Sequence, residues 1–214
     1  YDGGEYAELV SDPDRDIHFH NACLFGIHER GKEIPKLTRD LSKRLIYCVL
    51  YGGGAKKTGS IIAPKESEHK QYEKGKQTID TFYQNLPAIK KLKDQVESTL
   101  SKRDYLVGID GRHLQIRSKH SALNQLLQST GAITVKKATT ILYDDMTDKG
   151  LKFFKDWGFV AHVHDEYQCL LRPEYTDLFQ ELAIDSFRKS GEYFNLKCPL
   201  TGEAKIGKNW CETH

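Results

Sequence analysis

Four side chains spaced four residues apart have types that suit an anion followed by an aromatic base. The row consists of Arg39, Lys43, Tyr47 and Tyr51. Residues at this spacing project from one slowly drifting face of an α-helix. The two cations repel each other, and a triphosphate bound near the helix N-terminus would remove that repulsion. The two rings would then offer flat faces to a base and a sugar.

An ordinary amphipathic helix with a solvated basic edge would carry the same two cations. The row, however, ends at three glycines, residues 52–54. The complete arrangement R-x3-K-x3-Y-x3-Y-G is more specific than the basic spacing alone. We therefore interpret the row as a nucleotide-binding surface.

Two adjacent carboxylates, Asp165 and Glu166, follow His164 between two β-prone runs at residues 159–163 and 167–171. Acidic side chains at the tip of a hairpin are unfavourable unless a cation neutralises them. Mg²⁺ prefers a few carboxylates together with phosphate oxygens of a substrate. A solvent-exposed turn would also accept an aspartate, but two apolar strands present this pair on a rigid element. The sequence therefore predicts a metal-binding Asp165.

Helical patterns dominate the first half of the chain. Thr38 is expected to cap a helix that runs from Arg39 to about Leu50. A lysine-rich helix is expected over residues 65–76. Another is predicted over residues 78–101, entered through Pro87.

The second half alternates between strand and helix patterns. Residues 105–117 are strand-like and turn at Asp110-Gly111, a common hairpin signal. A long helical pattern covers residues 122–148, the two β-prone runs predict a hairpin over about 158–172, and a helix is expected over residues 173–190. These patterns predict an α+β fold with two subdomains.

Composition narrows the possible functions. The 214 residues carry a net charge of only +2, so any nucleic-acid-binding surface must be local. The five cysteines are odd in number and form no C-x-x-C, which indicates reduced thiols. The sequence contains no signal-like N-terminus and no apolar run long enough to span a bilayer. We therefore expect a soluble, cytoplasmic protein without a membrane partner.

With both groups of residues in view, the chain resembles the family A DNA polymerases, most of all their T7-like phage branch. Five stretches in the family's order carry the resemblance. They are residues 16–18, residues 39–52 (motif B, on a helix of about 38–52), the primer-template segment at 111–112, 117–118 and 124–132, residues 163–166 (motif C), and residues 207–210 at the C-terminus. The similarity therefore covers nearly the whole chain.

The resemblance implies the right-hand fold of polymerases. Mostly helical fingers would span residues 1–123, and a palm with an antiparallel β-hairpin would span residues 124–214. It also implies template-directed addition of dNTPs to a primer 3′-hydroxyl by two-metal phosphoryl transfer, with two Mg²⁺ ions. The implied partners are primer-template DNA and dNTP, and the implied setting is a bacterial or phage-infected cell.

The family's nucleotide-binding roles carry over to residues of the first group. Arg39 and Lys43 would contact the triphosphate with help from His18, and Lys43 would also give a proton to the leaving pyrophosphate. Tyr47 would pack against the sugar and base, and Tyr51 would stack near the templating position. Of these residues, His18 also has an open alternative as a plain structural residue.

The family's DNA-binding and metal-binding roles carry over to the second half. Asp165 would bind metal, Glu166 would support the site beside it, and His164 would lie near the primer terminus. Arg112 would contact a backbone phosphate. The primer-template duplex would be contacted by three residues at one-turn spacing on a helix face, namely His120, Asn124 and Gln128. Surface roles stay open for Arg112 and His120.

One departure from the family affects the metal site. The second metal-binding aspartate belongs to motif A, D-x-S-x-x-E, which does not occur in this sequence. Residues 1–7 resemble the stretch that follows motif A, and the thumb and any exonuclease domain would also lie upstream. We therefore expect this chain alone to extend primers poorly or not at all. An upstream polymerase segment is expected as its partner, whether in the uncut protein or as a separate chain.

Two other functions stay open. A single-subunit phage-type RNA polymerase shares the basic-aromatic helix and a His-Asp pair, although Tyr47 and a Glu166 directly after Asp165 are choices typical of DNA polymerases. An inactive remnant that only holds primer-template gains weight from the missing aspartate. Retention of Arg39 and Lys43 together with Asp165 argues against such a remnant.

Overall fold

The computed structural model describes residues 4–12 and 14–213, and the chain forms two compact units. The first contains the described residues up to Gly108 together with Arg112–Leu127. The second contains Ile109–Gly111 and the described residues from Gln128 onward. The assignment of residues 1–123 to fingers and 124–214 to a palm stays a prediction. No helix within the described ranges is long and apolar enough to cross a membrane.

The first unit is mostly helical. Its elements are α1 (Glu5–Ser11), α2 (Ile17–Leu24), α3 (Lys36–Leu50), α4 (Ala55–Ile62), α5 (Glu68–Asn85), α6 (Pro87–Leu100), β1 (Tyr105–Val107), β2 (His113–Gln115) and the start of α7 (Ala122–Asp148). The two strands pair antiparallel, with Leu106 opposite Leu114. Gly111 has a φ of +85° in the turn between them, which confirms the hairpin predicted at Asp110-Gly111.

Three predicted helix boundaries are wrong. α3 begins at Lys36 after an extended Pro35, so Thr38 lies inside the helix and does not cap it. The predicted helices over 65–76 and 78–101 divide elsewhere, because α5 continues to Asn85 and α6 starts at Pro87. Proline suits the first helical position since it has no N–H to donate, and it keeps the residue before it out of helical geometry.

Two hydrophobic clusters hold the first unit together. The larger joins α2, α3 and α5 and consists of Leu24, Phe25, Leu45, Ile46, Val49, Phe82 and Leu86. At its centre, Phe25 and Phe82 are stacked with ring centroids 4.5 Å apart. The other joins α6, β1 and the first turn of α7 and consists of Val96, Leu100, Leu106, Ala122 and Leu123. One side of α3 is therefore fixed in the core.

The second unit combines helices with a hairpin. It contains the rest of α7, β3 (Trp157–Val163), β4 (Glu166–Leu171), α8 (Thr176–Tyr193) and α9 (Trp210–Thr213). The strands pair antiparallel from Trp157 opposite Leu171 to Val163 opposite Glu166, with an irregularity between Phe159 and Ala161. Its core consists of Leu142, Met146, Leu151, Trp157, Leu182 and Ala183.

The predicted hairpin of about 158–172 and the long helix of 122–148 are confirmed. The helix expected over 173–190 begins with a 3₁₀ turn at Pro173–Tyr175 and continues as α8. Helices together with antiparallel hairpins confirm the predicted α+β class.

Candidate active site

The predicted nucleotide-binding row lies along the exposed side of α3. Arg39, Lys43 and Tyr47 are exposed, as is Tyr51, which caps the C-terminal end of the helix. The opposite side of α3 is buried in the core through Leu45, Ile46 and Val49. The rings of Tyr47 and Tyr51 are 47% and 45% exposed, and their centroids lie 5.7 Å apart. The first unit therefore presents two cations and two accessible rings in one line.

Arg39 contacts α2, the helix that carries His18. The Nε of Arg39 donates to Asp16 Oδ2 at 2.8 Å, and Asp16 Oδ1 accepts the backbone N–H groups of His18 and Phe19 at 2.9 and 3.4 Å. Asp16 is thus the N-cap of α2. Lys43 makes no hydrogen bond or ion pair with any described residue. The predicted repulsion between the two cations is therefore relieved in part by a carboxylate of the protein itself.

The charges of this region shift two pKa values. Partial burial favours the neutral acid of Asp16, but the hydrogen bonds from Arg39 and from the N–H groups of α2 outweigh it and hold the pKa of that carboxyl below its usual value. Burial first, and the positive charge of Arg39 second, lower the pKa of His18. Lys43 acts on His18 in the same direction. His18, Arg39 and Lys43 therefore share one electrostatic environment.

The C-terminal end of α3 lies against the segment that carries His120. Gly52 has a φ of +82°, and a Cβ built there would lie 2.1 Å from the carbonyl oxygen of His120. Only glycine fits such a backbone contact at positive φ. His120 belongs to a 3₁₀ turn (Lys119–Ser121) that precedes α7, so the prediction that it lies on a helix face with Asn124 and Gln128 is wrong.

Asn124 and Gln128 do lie one turn apart on α7. The side-chain oxygen of Asn124 is buried and accepts no hydrogen bond from the described residues, and the same holds for Gln125. Arg112 is exposed next to the turn of the β1–β2 hairpin, where its carbonyl accepts the N–H of Gly108 at 2.8 Å. Each predicted DNA-binding residue of this part of the chain is thus placed, while its role stays a prediction.

The β3–β4 hairpin presents the predicted metal ligand at its tip. His164 and Asp165 form the two-residue loop and are exposed, and His164 has a φ of +53°. Glu166 begins β4, opposite Val163, and is half-buried. Tyr167 anchors the strand, since its hydroxyl lies 3.4 Å from Ala183 O and from Ser186 Oγ of α8. Burial raises the pKa of Tyr167 to about 12.

A match to a known family decides what these residues belong to. The sequence model for DNA polymerase family A matches residues 7–212. The chain belongs to DNA polymerase family A. This confirms the family predicted from the five stretches.

Among the relatives of this family A chain are phage enzymes. It is 35% identical to the DNA-directed DNA polymerases of Enterobacteria phage T3 and Escherichia phage T7, over all of this chain and 30% of each relative. The predicted similarity to the T7-like phage branch is therefore confirmed. The chain spans about a third of the length of these curated relatives.

A solved structure shows the fold of the family A chain. The POL domain of Pol1 from M. smegmatis, in complex with DNA primer-template and dNTP, matches with a TM-score of 0.80 and 18% sequence identity. The match covers 99% of this chain and 38% of that one. The predicted polymerase fold is thereby confirmed.

The residues at the hairpin tip of the family A chain fit Mg²⁺ in type but not in number. Carboxylate oxygens of Asp165 and Glu166 are donors that Mg²⁺ prefers. Among the described residues, however, no group of three or more His, Cys, Asp or Glu side chains could hold a metal ion. A metal-binding role of Asp165 therefore stays a prediction.

Several contacts around the site were not predicted from the sequence. Besides the contact between Asp16 and Arg39, the fully buried Ser42 contacts the carbonyl oxygens of His18 and Arg39. Gln168 donates to Glu166 at 3.3 Å and accepts from Thr213 of α9 at 3.0 Å. An aspartate directly before a helix, as Asp16 is before α2, is the one local signal among them, since aspartate is a common N-cap. The other contacts have no sequence signal, because they depend on which elements pack together.

Proposed function

We propose that this chain forms the fingers and palm part of a template-directed DNA polymerase that adds dNTPs to a primer 3′-hydroxyl. The observation that carries the proposal is the exposed row of α3. Arg39 and Lys43 precede Tyr47 and Tyr51 along one accessible side, and the other side is fixed in the core. Family membership supports this reading, as does the similar M. smegmatis structure, which is a complex with DNA primer-template and dNTP.

The cations of the row would hold the triphosphate. The terminal nitrogens of Arg39 and the amine of Lys43 make no hydrogen bond with the described residues, so they are available to phosphate oxygens. His18, which lies in the same electrostatic environment, would add a ring N–H. As the pyrophosphate leaves, Arg39 and Lys43 would stabilise its charge, and Lys43 would deliver a proton to it.

The aromatic side chains would hold the base end of the nucleotide. Tyr47 would pack against the sugar and base, and Tyr51 would stack near the templating position. Sequence would be read by pairing with the template, since stacking on a ring does not distinguish bases. The same row would thus bind any of the four dNTPs.

The remaining predicted residues would contact DNA. Arg112 would bind a backbone phosphate, and His120, Asn124 and Gln128 would contact the primer-template duplex. His164 would lie near the primer terminus.

Asp165 would bind metal, and Glu166 would support it through its contact with Gln168. When bound, a pair of Mg²⁺ ions supplies activation of the 3′-hydroxyl and neutralises charge on the transferred phosphate. The second carboxylate would come from an upstream segment with motif A. The exposed face of the hairpin supports such a partner, because the apolar side chains of Val160 and Leu170 are 61% and 71% exposed.

Primer extension by the product of the complete reading frame that contains these residues tests the proposal. We expect extension of a labelled primer with dNTPs and Mg²⁺, and little or none with this chain alone. Extension with rNTPs instead would assign the chain to RNA synthesis. Binding of primer-template without any extension would identify an inactive remnant. Loss of extension on substitution of Lys43, and separately of Asp165, would assign both residues to the reaction.

A further inference from the structure

One carboxylate joins the two elements that carry the proposed triphosphate contacts. Its two oxygens have separate partners: Asp16 Oδ1 accepts backbone N–H groups of α2, and Oδ2 accepts the Nε of Arg39 on α3. The Asp16 side chain is 36% exposed and that of Arg39 is 45% exposed. The pair is therefore accessible to a ligand from solvent.

Ser42 fixes the same two elements from the buried side. Its hydroxyl lies 2.7 Å from the carbonyl oxygen of His18 and 2.8 Å from that of Arg39. Ser42 is completely buried. The backbone positions of His18 and Arg39 are therefore set by Ser42, and the direction of the Arg39 side chain is set by Asp16.

The contact with Asp16 uses the inner edge of the guanidinium. Nε lies on the side of the fork nearest the aliphatic stem, and the two terminal nitrogens at the far end make no hydrogen bond with the described residues. A guanidinium held at Nε has its plane fixed, and its end-on pair of N–H groups remains available for a phosphate. The guanidinium of Arg39 is thus ordered before the nucleotide arrives, so nucleotide binding does not include the entropy cost of ordering it.

We infer that Asp16 is a positioning residue for nucleotide binding: it orients Arg39 and, as the N-cap of α2, holds His18 towards the same triphosphate. This inference rests on the proposed function. It assigns to Asp16 a favourable effect on nucleotide affinity, although its negative charge alone would repel a triphosphate. The pair is half-exposed, so that repulsion is screened by solvent, whereas the orientation of Arg39 is not.

Substitution by asparagine separates the two tasks of Asp16. An asparagine has one side-chain oxygen, which can cap α2, while its amide nitrogen cannot accept from Arg39. We expect Asp16→Asn in the complete reading-frame product to raise the dNTP KM by about tenfold to a hundredfold, the loss of one hydrogen bond to a charged group. The kcat should change much less, and the melting temperature should stay near that of the wild type.

A double-mutant cycle tests whether Asp16 acts through Arg39. In an Arg39→Ala background, Asp16→Asn should leave the dNTP KM unchanged. Asp16→Ser, which also caps a helix, should repeat the result if the asparagine variant is poorly folded. An unchanged or lower dNTP KM in Asp16→Asn, or an equal rise in both backgrounds, would overturn the inference. If the wild-type product extends no primer, the proposed function fails, and the inference fails with it.

Discussion

The α3 row and the hairpin tip differ in how completely the described chain builds them. Around the row, Asp16 and Ser42 each contact two elements, and the helix beneath is anchored by a seven-residue cluster. At the tip, Asp165 is exposed, and the described residues supply no three-ligand group for a metal. The described chain thus fixes the side chains of the row within one unit, whereas the tip presents Asp165 without a complete set of metal ligands.

Loss of the tip carboxylate should have the largest effect. We expect Asp165→Asn to lower kcat by about a thousandfold or more, because metal-assisted charge stabilisation contributes several kcal/mol to phosphoryl transfer. Primer extension under single-turnover conditions measures the rate of this chemical step. Asp177→Asn, at an exposed aspartate of α8, is the matched control and should retain activity. Comparable activity in both variants would remove Asp165 from the metal site.

Loss of Lys43, the cation of the row that has no ion pair with a described residue, should have the second-largest effect. Lys43→Ala is expected to lower kcat/KM for dNTP by about a hundredfold to a thousandfold, as for removal of one preorganised donor. Arg44→Ala is the control, since Arg44 is exposed on the same helix at about 100° around its axis from Lys43. Steady-state kinetics of dNTP incorporation on a homopolymer template measure kcat/KM for both variants. Equal losses would mean that general positive charge matters and not the row.

The junction between α3 and the His120 turn should respond to a single methyl group. Gly52→Ala is expected to destabilise the protein by about 1–3 kcal/mol, because alanine is strained at positive φ and its Cβ would meet the His120 carbonyl. Urea unfolding measures this difference. Gly54→Ala is the control, since a Cβ there has no neighbour within 4 Å. If both variants unfold alike, Gly52 is not a constrained junction.

The smallest expected effect is a pH dependence from His18. Its pKa is lowered in the fold, so the ring is neutral at pH 7 and gains a proton only below its ordinary pKa of about 6.5. That proton should favour the triphosphate, so the dNTP KM should fall about twofold to fivefold as the pH drops through this range.

Fold stability should change in the opposite direction to nucleotide affinity. Because the unfolded state takes up the proton at a higher pH, stability is lost as the pH falls below about 6.5. His18→Gln is the control for titration of the nucleotide itself. A KM profile that is the same in His18→Gln would exclude His18 as the titrating group.

The sequence predicted those parts of the molecule that have a local signal. Helical spacing predicted the α3 row and α7, and alternation of β-prone residues with a short polar loop predicted the β3–β4 hairpin. Boundaries failed where a neighbouring residue overrode local propensity, as at Pro35 and Pro87. The short helices α4 and α9 were not predicted, because a one- or two-turn helix leaves little periodicity to read.

Contacts between distant residues were beyond sequence reasoning. The cations of α3 predicted an anion, but the carboxylate that reaches Arg39 lies 23 residues earlier in the chain. Likewise, nothing at Gln168 indicates that it would link Glu166 to Thr213, which lies 45 residues later. Such pairs depend on how elements pack, and single-sequence patterns do not carry that information.

The left-handed backbone of His164 limits which residues can stand at the hairpin tip. Asparagine, aspartate and histidine accept this conformation far more readily than β-branched residues. Valine or threonine at this position would have to distort the two-residue loop and thereby redirect Asp165. The proposed position of this residue near DNA would also favour a polar group, so both requirements select the same short set of amino acids and make asparagine the mildest replacement to engineer at this tip.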